Sequence, residues 1–267
     1  MMIMMTELPV SAYMLFSGSS GNSLLISAYG DSILIDAGRS CGAIKKACRD
    51  VGVGTDTLRA VFITHEHHDH VSALDVMSRR LRLPVHITYD SLGAMKEKDA
   101  CGEKDVVVPH PIVYTERVGK MTVTSFPTHH DSAASVGYIV DIEEAGVRIG
   151  LCTDTGYVDG DMLSLLSACT HVVLESNHDV EMLTHGPYPF YLKERILSGR
   201  GHLSNKDAAA AACSMLECGV RSFTLAHLSR ENNTPQLALA AVRSKLDGVG
   251  AAYSLDAAPP YEPLRVV

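Results

Sequence analysis

The sequence predicts an α/β protein, a four-layer αββα sandwich formed as one domain of two weakly similar halves over residues 1–267. Three observations point there. Short apolar, β-prone runs alternate with helix-spaced stretches along the chain, so strands and helices interleave. Each half has a strand ending in Asp, a small residue and Gly (Ile35-Asp36-Ala37-Gly38 and Thr153-Asp154-Thr155-Gly156). Each also has a later strand ending in His (Phe62-Ile63-Thr64-His65 and Thr224-Leu225-Ala226-His227). Finally, Thr64-His65-Glu66-His67-His68-Asp69-His70 lies where an apolar strand meets a helix, the place where ligand sites of α/β folds gather.

Taken in order, Ser11 to Phe16 reads as a first strand and Leu24 to Ile26 as a second. The Ser17-Gly18-Ser19-Ser20-Gly21-Asn22-Ser23 segment between them reads as a hairpin turn or as a phosphate cradle of exposed N–H groups. Strand Ser32 to Ile35 delivers Asp36, either a structural cap or an anchor for the metal loop, and a helix from about Ser40 to Asp50 follows. Strand Leu58 to Ile63 leads into the His cluster, and a helix runs from Val71 until Pro84 ends it. Val85 to Thr88 is a strand and Ser91 to Lys98 a short exposed helix. Arg79, Arg80, Arg82, Lys96, Lys98 and Lys104 make this the most basic part of the chain.

Met121 to Phe126 alternates as a strand and delivers His129-His130-Asp131. Strands Gly137 to Val140 and Val147 to Cys152 follow, then a helix from Met162 to Ala168. Strand His171 to Leu174 ends in Glu175-Ser176-Asn177-His178-Asp179, and after a Gly/Pro-interrupted segment a helix covers Leu192 to Leu197. Helix Lys206 to Glu217 is capped by Ser204 or Asn205 and closed by Gly219. Strand Ser222 to Ala226 carries His227, and Thr234-Pro235 opens a last helix to Lys245. The tail from Asp256 to Val267, with three prolines, is expected to run over the surface.

The composition narrows the function classes. With 46% hydrophobic residues the chain can bury a large core. A net charge of −8 argues against a generic basic nucleic-acid coat but leaves room for a local basic groove. Seven scattered cysteines without a CxxC motif read as reduced thiols in a cytoplasmic protein. The apolar start, Met1 to Thr6, is too short for a signal peptide, and no stretch is long and apolar enough to span a membrane.

The His cluster carries the chemistry. At a strand end His65 and His67 face one side, while Asp69 and His70 come from the following turn and face a second point, which suits two metal ions. The His-Glu-x-x-His pattern of a single-zinc protease helix fails, since Asp69 stands four residues after His65. In the sandwich, Asp36, His65, His130, Asp154 and His227 gather on one rim.

This pattern resembles the metallo-β-lactamase superfamily, through Asp36, His65-x-His67-x-Asp69-His70, His130, Asp154 and His227. The resemblance implies that His65, His67 and His130 bind one metal and Asp69, His70 and His227 a second. Asp154 would bridge both, and Asp36 would hold the metal loop from behind. His130 is preferred to His129 on the family habit of His-Asp here. No cysteine takes a ligand position, unlike thiolate-using β-lactamases. His67 stands where flavodiiron oxidases have Glu, and no large domain is inserted before His227, unlike ribonuclease J-type enzymes.

The second half is similar to ribonuclease Z and more so to the YycJ (WalJ) group. The similarity rests on the Gly/Ser loop, Glu175 to Asp179, Gly201-His202-Leu203-Ser204-Asn205 and His227-Leu228-Ser229-Arg230-Glu231-Asn232-Asn233. It implies a Glu175–His202 dyad that protonates the leaving oxygen. It also implies substrate contacts from Ser19, Asn22, Asn177, His178, Ser204, Asn205, Ser229 and Arg230. The long arm with which ribonuclease Z grips tRNA is missing.

Phosphodiester hydrolysis needs an activated water, charge neutralisation and a proton for the leaving group. Two divalent ions, zinc or manganese from this nitrogen and oxygen donor set, supply the first two. Asp69 suits orientation of the water, His202 proton donation, and the helix after Ser204 presents an N-terminus to phosphate. The expected activity is a DNA exonuclease working from a 5′ end, with DNA as partner and no membrane. The rivals are a small-molecule hydrolase on the same fold, a lactonase or thioesterase, and a metal-stabilised scaffold for a signalling complex.

Overall fold

The computed structural model describes residues 10–97 and 106–267; Met1 to Thr6, Lys98, Cys101 and Lys104 lie outside the described residues. The first sheet contains β1 (Val10–Phe16), β2 (Ser23–Ala28), β3 (Asp31–Ile35), β4 (Leu58–Phe62), β5 (Val85–Thr88) and β6 (Val107–His110), side by side in that order. The second contains β7 (Thr115–Val118), β8 (Met121–Pro127), β9 (Val136–Ile142), β10 (Val147–Cys152), β11 (His171–Glu175), β12 (Ser222–Ala226) and β13 (Ser254–Ala257), again in order. A last strand, β14 (Leu264–Arg265), returns to the first sheet beside β1.

The central strands are buried on both faces, which is why they read as continuous apolar runs. On β4, Ala60 and Phe62 enter the core between the sheets, while Val61 faces the outer core under the helices. On β9, Tyr138 and Val140 face inward and Ile139 outward. The outer core of the first sheet is covered by α1 (Cys41–Asp50) and α3 (Leu74–Leu81), through Ile44, Cys48, Leu74 and Met77. The other is covered by α5 (Gly160–Ser167), α8 (Asn205–Glu217) and α9 (Pro235–Leu246), through Leu166, Ala212, Leu216 and Val242. This gives the expected αββα layers. Truncating Phe62 to Ala at the shared centre would cost about 3–5 kcal/mol.

Several expectations are corrected. The helix after the His cluster breaks into α2 (His68–Val71) and α3, because the Ala73 N–H turns to the Ala37 carbonyl at 2.9 Å. The helix read as exposed, α4 (Tyr89–Glu97), buries Ser91, Leu92 and Met95. Its Ser91 hydroxyl donates to Glu66 Oε2 at 2.8 Å, so it braces the metal loop. Strands β6 and β7, where the chain crosses between sheets, went unread; β7 is Thr-Glu-Arg-Val, an edge strand with charged side chains. Ahead of the Gly/Pro-interrupted segment Gly186-Pro187-Tyr188-Pro189, an unexpected helix α6 (Val180–His185) forms with Asp179 as N-cap, and α7 (Phe190–Leu197) follows the segment. The tail does not merely run over the surface. It pairs as β13 with β12, crosses, and pairs as β14 with β1, burying Ala258 and Val266.

Candidate metal centre

Strand ends converge on one rim, and three of them turn in an unusual way. Asp36, Asp154 and His227 adopt positive φ values of 63°, 57° and 55°. Left-handed backbone at a non-glycine residue costs about 1–3 kcal/mol and persists only where the surroundings impose it. Each turn swings a polar side chain off the end of its strand towards the rim.

Asp36 anchors the metal loop. Its carboxylate accepts the Thr64 N–H at 2.9 Å and the Thr64 hydroxyl at 2.9 and 3.1 Å, and its Oδ2 lies 2.7 Å from His70 Nδ1. That contact leaves His70 Nε2 for the site. Beneath, the Tyr138 hydroxyl on β9 donates to the Ile63 carbonyl at 2.7 Å and ties the sheets together under the loop. The Gly/Ser loop is the hairpin joining β1 to β2, as the first of its two readings has it, and its N–H groups at Gly18 and Gly21 are taken by Asn22 Oδ1 and the Gly18 carbonyl. Its work is bracing. The Asn22 N–H donates to the Asp69 carbonyl at 2.8 Å, and the Gly38 N–H to the Asn22 carbonyl at 2.9 Å. A Cβ on Gly38 would stand 1.6 Å from the Asp69 carbonyl oxygen, so only glycine fits there.

Among the described residues five sets of donors lie close enough to share a cation: His86, His110 and Glu116; Asp154, Glu175, His202 and His227; and three that carry the expected ligands, His65, His67 and His130, then His65, His70 and Asp154, then Asp69, His70 and His227. Sharing His65 and His70, the last three form one continuous cluster. His130 belongs to it, 3.3 Å from His67 Nδ1, with its own Nδ1 held by the Gly201 carbonyl. His129 does not: it pairs with Asp159 at 2.7 Å and stacks on Tyr157.

The donor set fits divalent ions. His65 Nε2, His227 Nε2 and Asp154 Oδ2 are buried without hydrogen-bond partners, each a cost of about 1–3 kcal/mol that a cation would remove. Electrostatics agree. Burial works against a charged His70, but Asp36, Asp154 and Asp69 outweigh it and push the imidazole up to about 9. Burial and neighbouring imidazoles push His65 far down. A pocket with buried carboxylates that draws protons onto one imidazole calls for positive charge.

Glu175 stands behind the cluster, fully buried. Its Oε1 lies 2.8 Å from both His202 Nδ1 and His227 Nδ1, and its Oε2 accepts the N–H groups of Thr155 at 2.9 Å and Leu203 at 3.2 Å. Both oxygens are thereby occupied, so Glu175 orients imidazoles and is not a metal donor. Burial alone would raise its carboxyl; His202 and His227 reverse this and hold it well below the usual range. With Nδ1 tied back, His202 turns its other nitrogen to a cleft of about 180 Å³ lined by Ser19, Asp131, Asn177, Tyr188, Arg195 and Ser229.

Of the residues expected to contact substrate, Ser19, Asn177 and Ser229 line this cleft. The others do not. Asn22 is buried against Asp69 and His70, 3.1 Å from His70 Nε2. His178 is buried, and burial brings its imidazole down to about 4. Asn205 bonds to Ser176 and Asn233 in a buried knot. Ser204 caps its own helix through the Asp207 N–H, and the Asn205 N–H goes to the His178 carbonyl, so two donors of that N-terminus are already spent. Arg230 bonds to the Tyr261 hydroxyl. Sequence reasoning placed Thr64 and Asn233 inside its motifs without giving either a role, and missed Arg195. Asn233 ties the Glu175 loop to the His227 loop through the Ser176 and Asn177 carbonyls. Arg195 pairs with Asp131 beside His130.

Comparison with known proteins agrees with this geometry. A family model described as a β-lactamase superfamily domain matches residues 31–228. The chain is 34% identical over 256 residues to exodeoxyribonuclease YycJ of Bacillus anthracis, covering 94% of this chain and 96% of that one. It is 34% identical to exodeoxyribonuclease WalJ of Streptococcus pneumoniae, covering 88% and 87%. Among solved structures, the metallo-β-lactamase fold protein YhfI of Bacillus subtilis superposes with a TM-score of 0.72 at 15% identity, over 97% of this chain and 100% of that one. The short form of human tRNase Z gives 0.65 at 16% identity, over 96% and 99%. By its family match, its relatives and its fold, the chain belongs to the metallo-β-lactamase superfamily.

Proposed function

We propose that this chain is a cytoplasmic, metal-dependent exonuclease that hydrolyses DNA from a 5′ end with two divalent ions, zinc or manganese. The observation that carries the reading is the Glu175–His202 pair set beside the His/Asp cluster, in a chain 34% identical to proteins named exodeoxyribonucleases. His65, His67 and His130 would hold one ion, Asp69, His70 and His227 the other, with Asp154 shared. When bound, the ions neutralise phosphate charge and make water acidic enough to act as a nucleophile near neutral pH.

The rest falls to the chain's own side chains. Asp69, 3.6 Å from both His70 and His227 and a quarter exposed, orients the attacking water. Glu175 fixes His202 so that its free nitrogen faces the cleft, and His202 delivers a proton to the departing oxygen. Serines 19 and 229 and Asn177 offer neutral hydrogen bonds to the nucleotide held in the cleft. The six described cysteines are all free thiols, which supports a reducing compartment, and no helix of the described residues is long and apolar enough to cross a membrane.

Incubation with end-labelled single- and double-stranded DNA and RNA, with manganese or zinc added, tests the reading. Mononucleotide release from the 5′ end of DNA is expected. Efficient hydrolysis of lactones or thioesters, with no release from DNA in either metal, would overturn it.

A further inference from the structure

Beside the cleft, the chain holds two arginines against one tyrosine ring. The Arg39 guanidinium carbon lies 5.3 Å from the centre of the Tyr261 ring and that of Arg230 lies 5.7 Å from it. Arg230 Nη1 also donates to the Tyr261 hydroxyl at 2.9 Å, and Arg39 Nη1 to the Ser20 carbonyl at 2.9 Å. Three separate segments build this cluster. Arg39 follows the Asp36 turn, Arg230 follows His227, and Tyr261 lies on the crossing between β13 and β14. Local backbone is shaped for it: a Cβ on Gly21 (φ 145°) would meet the Arg39 stem at 2.3 Å.

Convergence sets the cluster apart. Arg59, Arg148 and Arg195 each pair with a carboxylate, at Asp31, Asp141 and Asp131. Other arginines, such as Arg117 and Arg221, make no ion pair among the described residues, but only Arg39 and Arg230 meet over one ring there. No ion pair among the described residues holds Arg39 or Arg230. In a chain of net charge −8, two unneutralised guanidiniums have thus been drawn together. The face of an aromatic ring offsets part of their mutual repulsion, by about 0.5–1 kcal/mol per contact at an exposed site. Each guanidinium has five N–H donors and spends one on the contact described, so the rest are free for an anion. A planar fork of this kind matches phosphate in two-point contact. Position completes the case. Ser19 and Ser229, which line the cleft with His202, are the immediate neighbours of Ser20 and Arg230.

We propose that Arg39, Tyr261 and Arg230 form a phosphate clamp for the DNA strand flanking the bond that is cut, the tyrosine ring holding both guanidiniums in place. The clamp rests on the exonuclease reading and adds to it a grip on the polymer, distinct from the machinery that cuts. It supplies a short basic contact in an acidic protein and suits trimming of an end, where few phosphates need holding.

The test compares wild type, Arg39→Gln/Arg230→Gln, Arg39→Lys/Arg230→Lys and Tyr261→Leu, each loaded with metal and checked by circular dichroism and metal content. Two substrates are used, a single-stranded oligonucleotide and bis(p-nitrophenyl) phosphate, which has no flanking phosphate. The Gln pair should lower the ratio of kcat/KM for oligonucleotide to that for the small diester at least tenfold. It should also make the fall of log kcat/KM with log salt shallower by about 1.4, two phosphates at about 0.7 each. The Lys pair should keep the wild-type salt slope, and Tyr261→Leu, with both charges present, should lower the ratio. Wild-type ratio and slope in the Gln pair, while DNA is still degraded, overturn the clamp alone; if the Gln pair fails to fold, an unchanged ratio in Tyr261→Leu does the same. Failure of the wild type to release nucleotides from DNA overturns the exonuclease reading and the clamp together.

Discussion

Replacing Glu175 with Gln separates the two jobs that its carboxylate performs. In the native chain four groups address it: His202 Nδ1 and His227 Nδ1 at 2.8 Å on Oε1, and the Thr155 and Leu203 N–H groups at 2.9 and 3.2 Å on Oε2. A glutamine keeps one acceptor oxygen. If its NH₂ takes the Oε2 place, two backbone donors face a donor in a fully buried site; if it takes the Oε1 place, two imidazole Nδ1–H groups do. Two of the four contacts are lost either way. At about 1.5–3 kcal/mol for each hydrogen bond to a charged group, the protein with both imidazoles protonated on Nδ1, the tautomer that leaves Nε2 for a metal, should lose roughly 3–6 kcal/mol of stability. The loosened His227 should weaken the ion shared with Asp69 and His70 about 10–100-fold, the usual effect of removing a hydrogen-bond partner behind a ligand. The misdirected His202 should lower turnover about 10²–10⁴-fold. Chelator competition, urea midpoints, and rates on DNA and on bis(p-nitrophenyl) phosphate read these effects separately. Activity should fall on both substrates, because metal binding is impaired as well as proton donation. Wild-type affinity for both metals in a folded variant would refute the claim that Glu175 holds His227.

Asp154→Ala removes the carboxylate between the donor sets and should strip most of both metals, with about two per chain in wild type by elemental analysis; a wild-type value near one after metal soaking refutes the two-ion site. His202→Ala should keep metal and fold, yet lose about 10²–10⁴-fold on DNA and much less on nitrophenyl esters, whose leaving group needs no proton; equal losses would make it a positioning residue. Burial, then His110, brings His86 from its ordinary 6.5 to about 4, so its neutral form favours the fold. That contribution is complete above about pH 6.5 and is lost as pH falls through about 4. The difference in urea midpoint between wild type and His86→Gln should therefore shrink from pH 7 to pH 4, and a constant difference would contradict the assignment.

Strand tips were legible wherever an apolar run ended in a polar residue, as at Ile35-Asp36, Ile63-Thr64-His65 and Ala226-His227. Such runs stand out because both strand faces are buried next to the tip, even though Arg59 interrupts β4 and Thr224 interrupts β12 further back. The misses were of another kind. The short edge strand β7 puts adjacent charges, Glu116 and Arg117, on opposite faces, and the tail strands are four and two residues long with three prolines between them, so neither has a readable period. Helix α4 hides two buried residues, Leu92 and Met95, in a segment otherwise polar and Gly-containing.

The chain's own order of residues determined the layered fold and the strand-tip cluster, since periodicity and residue type are local properties of a sequence; the Glu175–His202 pair was implied by the resemblance to ribonuclease Z. Which of two adjacent histidines joins the cluster was decided by tertiary structure alone. Asp159 and Tyr157 draw His129 aside, while the Gly201 carbonyl, 71 residues away in sequence, turns His130 inward. The same holds for the residues expected on the substrate. Asn22, Asn205 and His178 have the chemistry of nucleotide contacts, yet all are buried: Asn22 accepts the Gly18 N–H where water cannot reach, Asn205 bonds to Ser176 and Asn233, and His178 lies inside with neither ring nitrogen bonded. Arg39 and Tyr261 show the reverse: nothing near either one in sequence marks it. They meet only because the C-terminal segment, crossing from one sheet to the other, carries Tyr261 past Arg39.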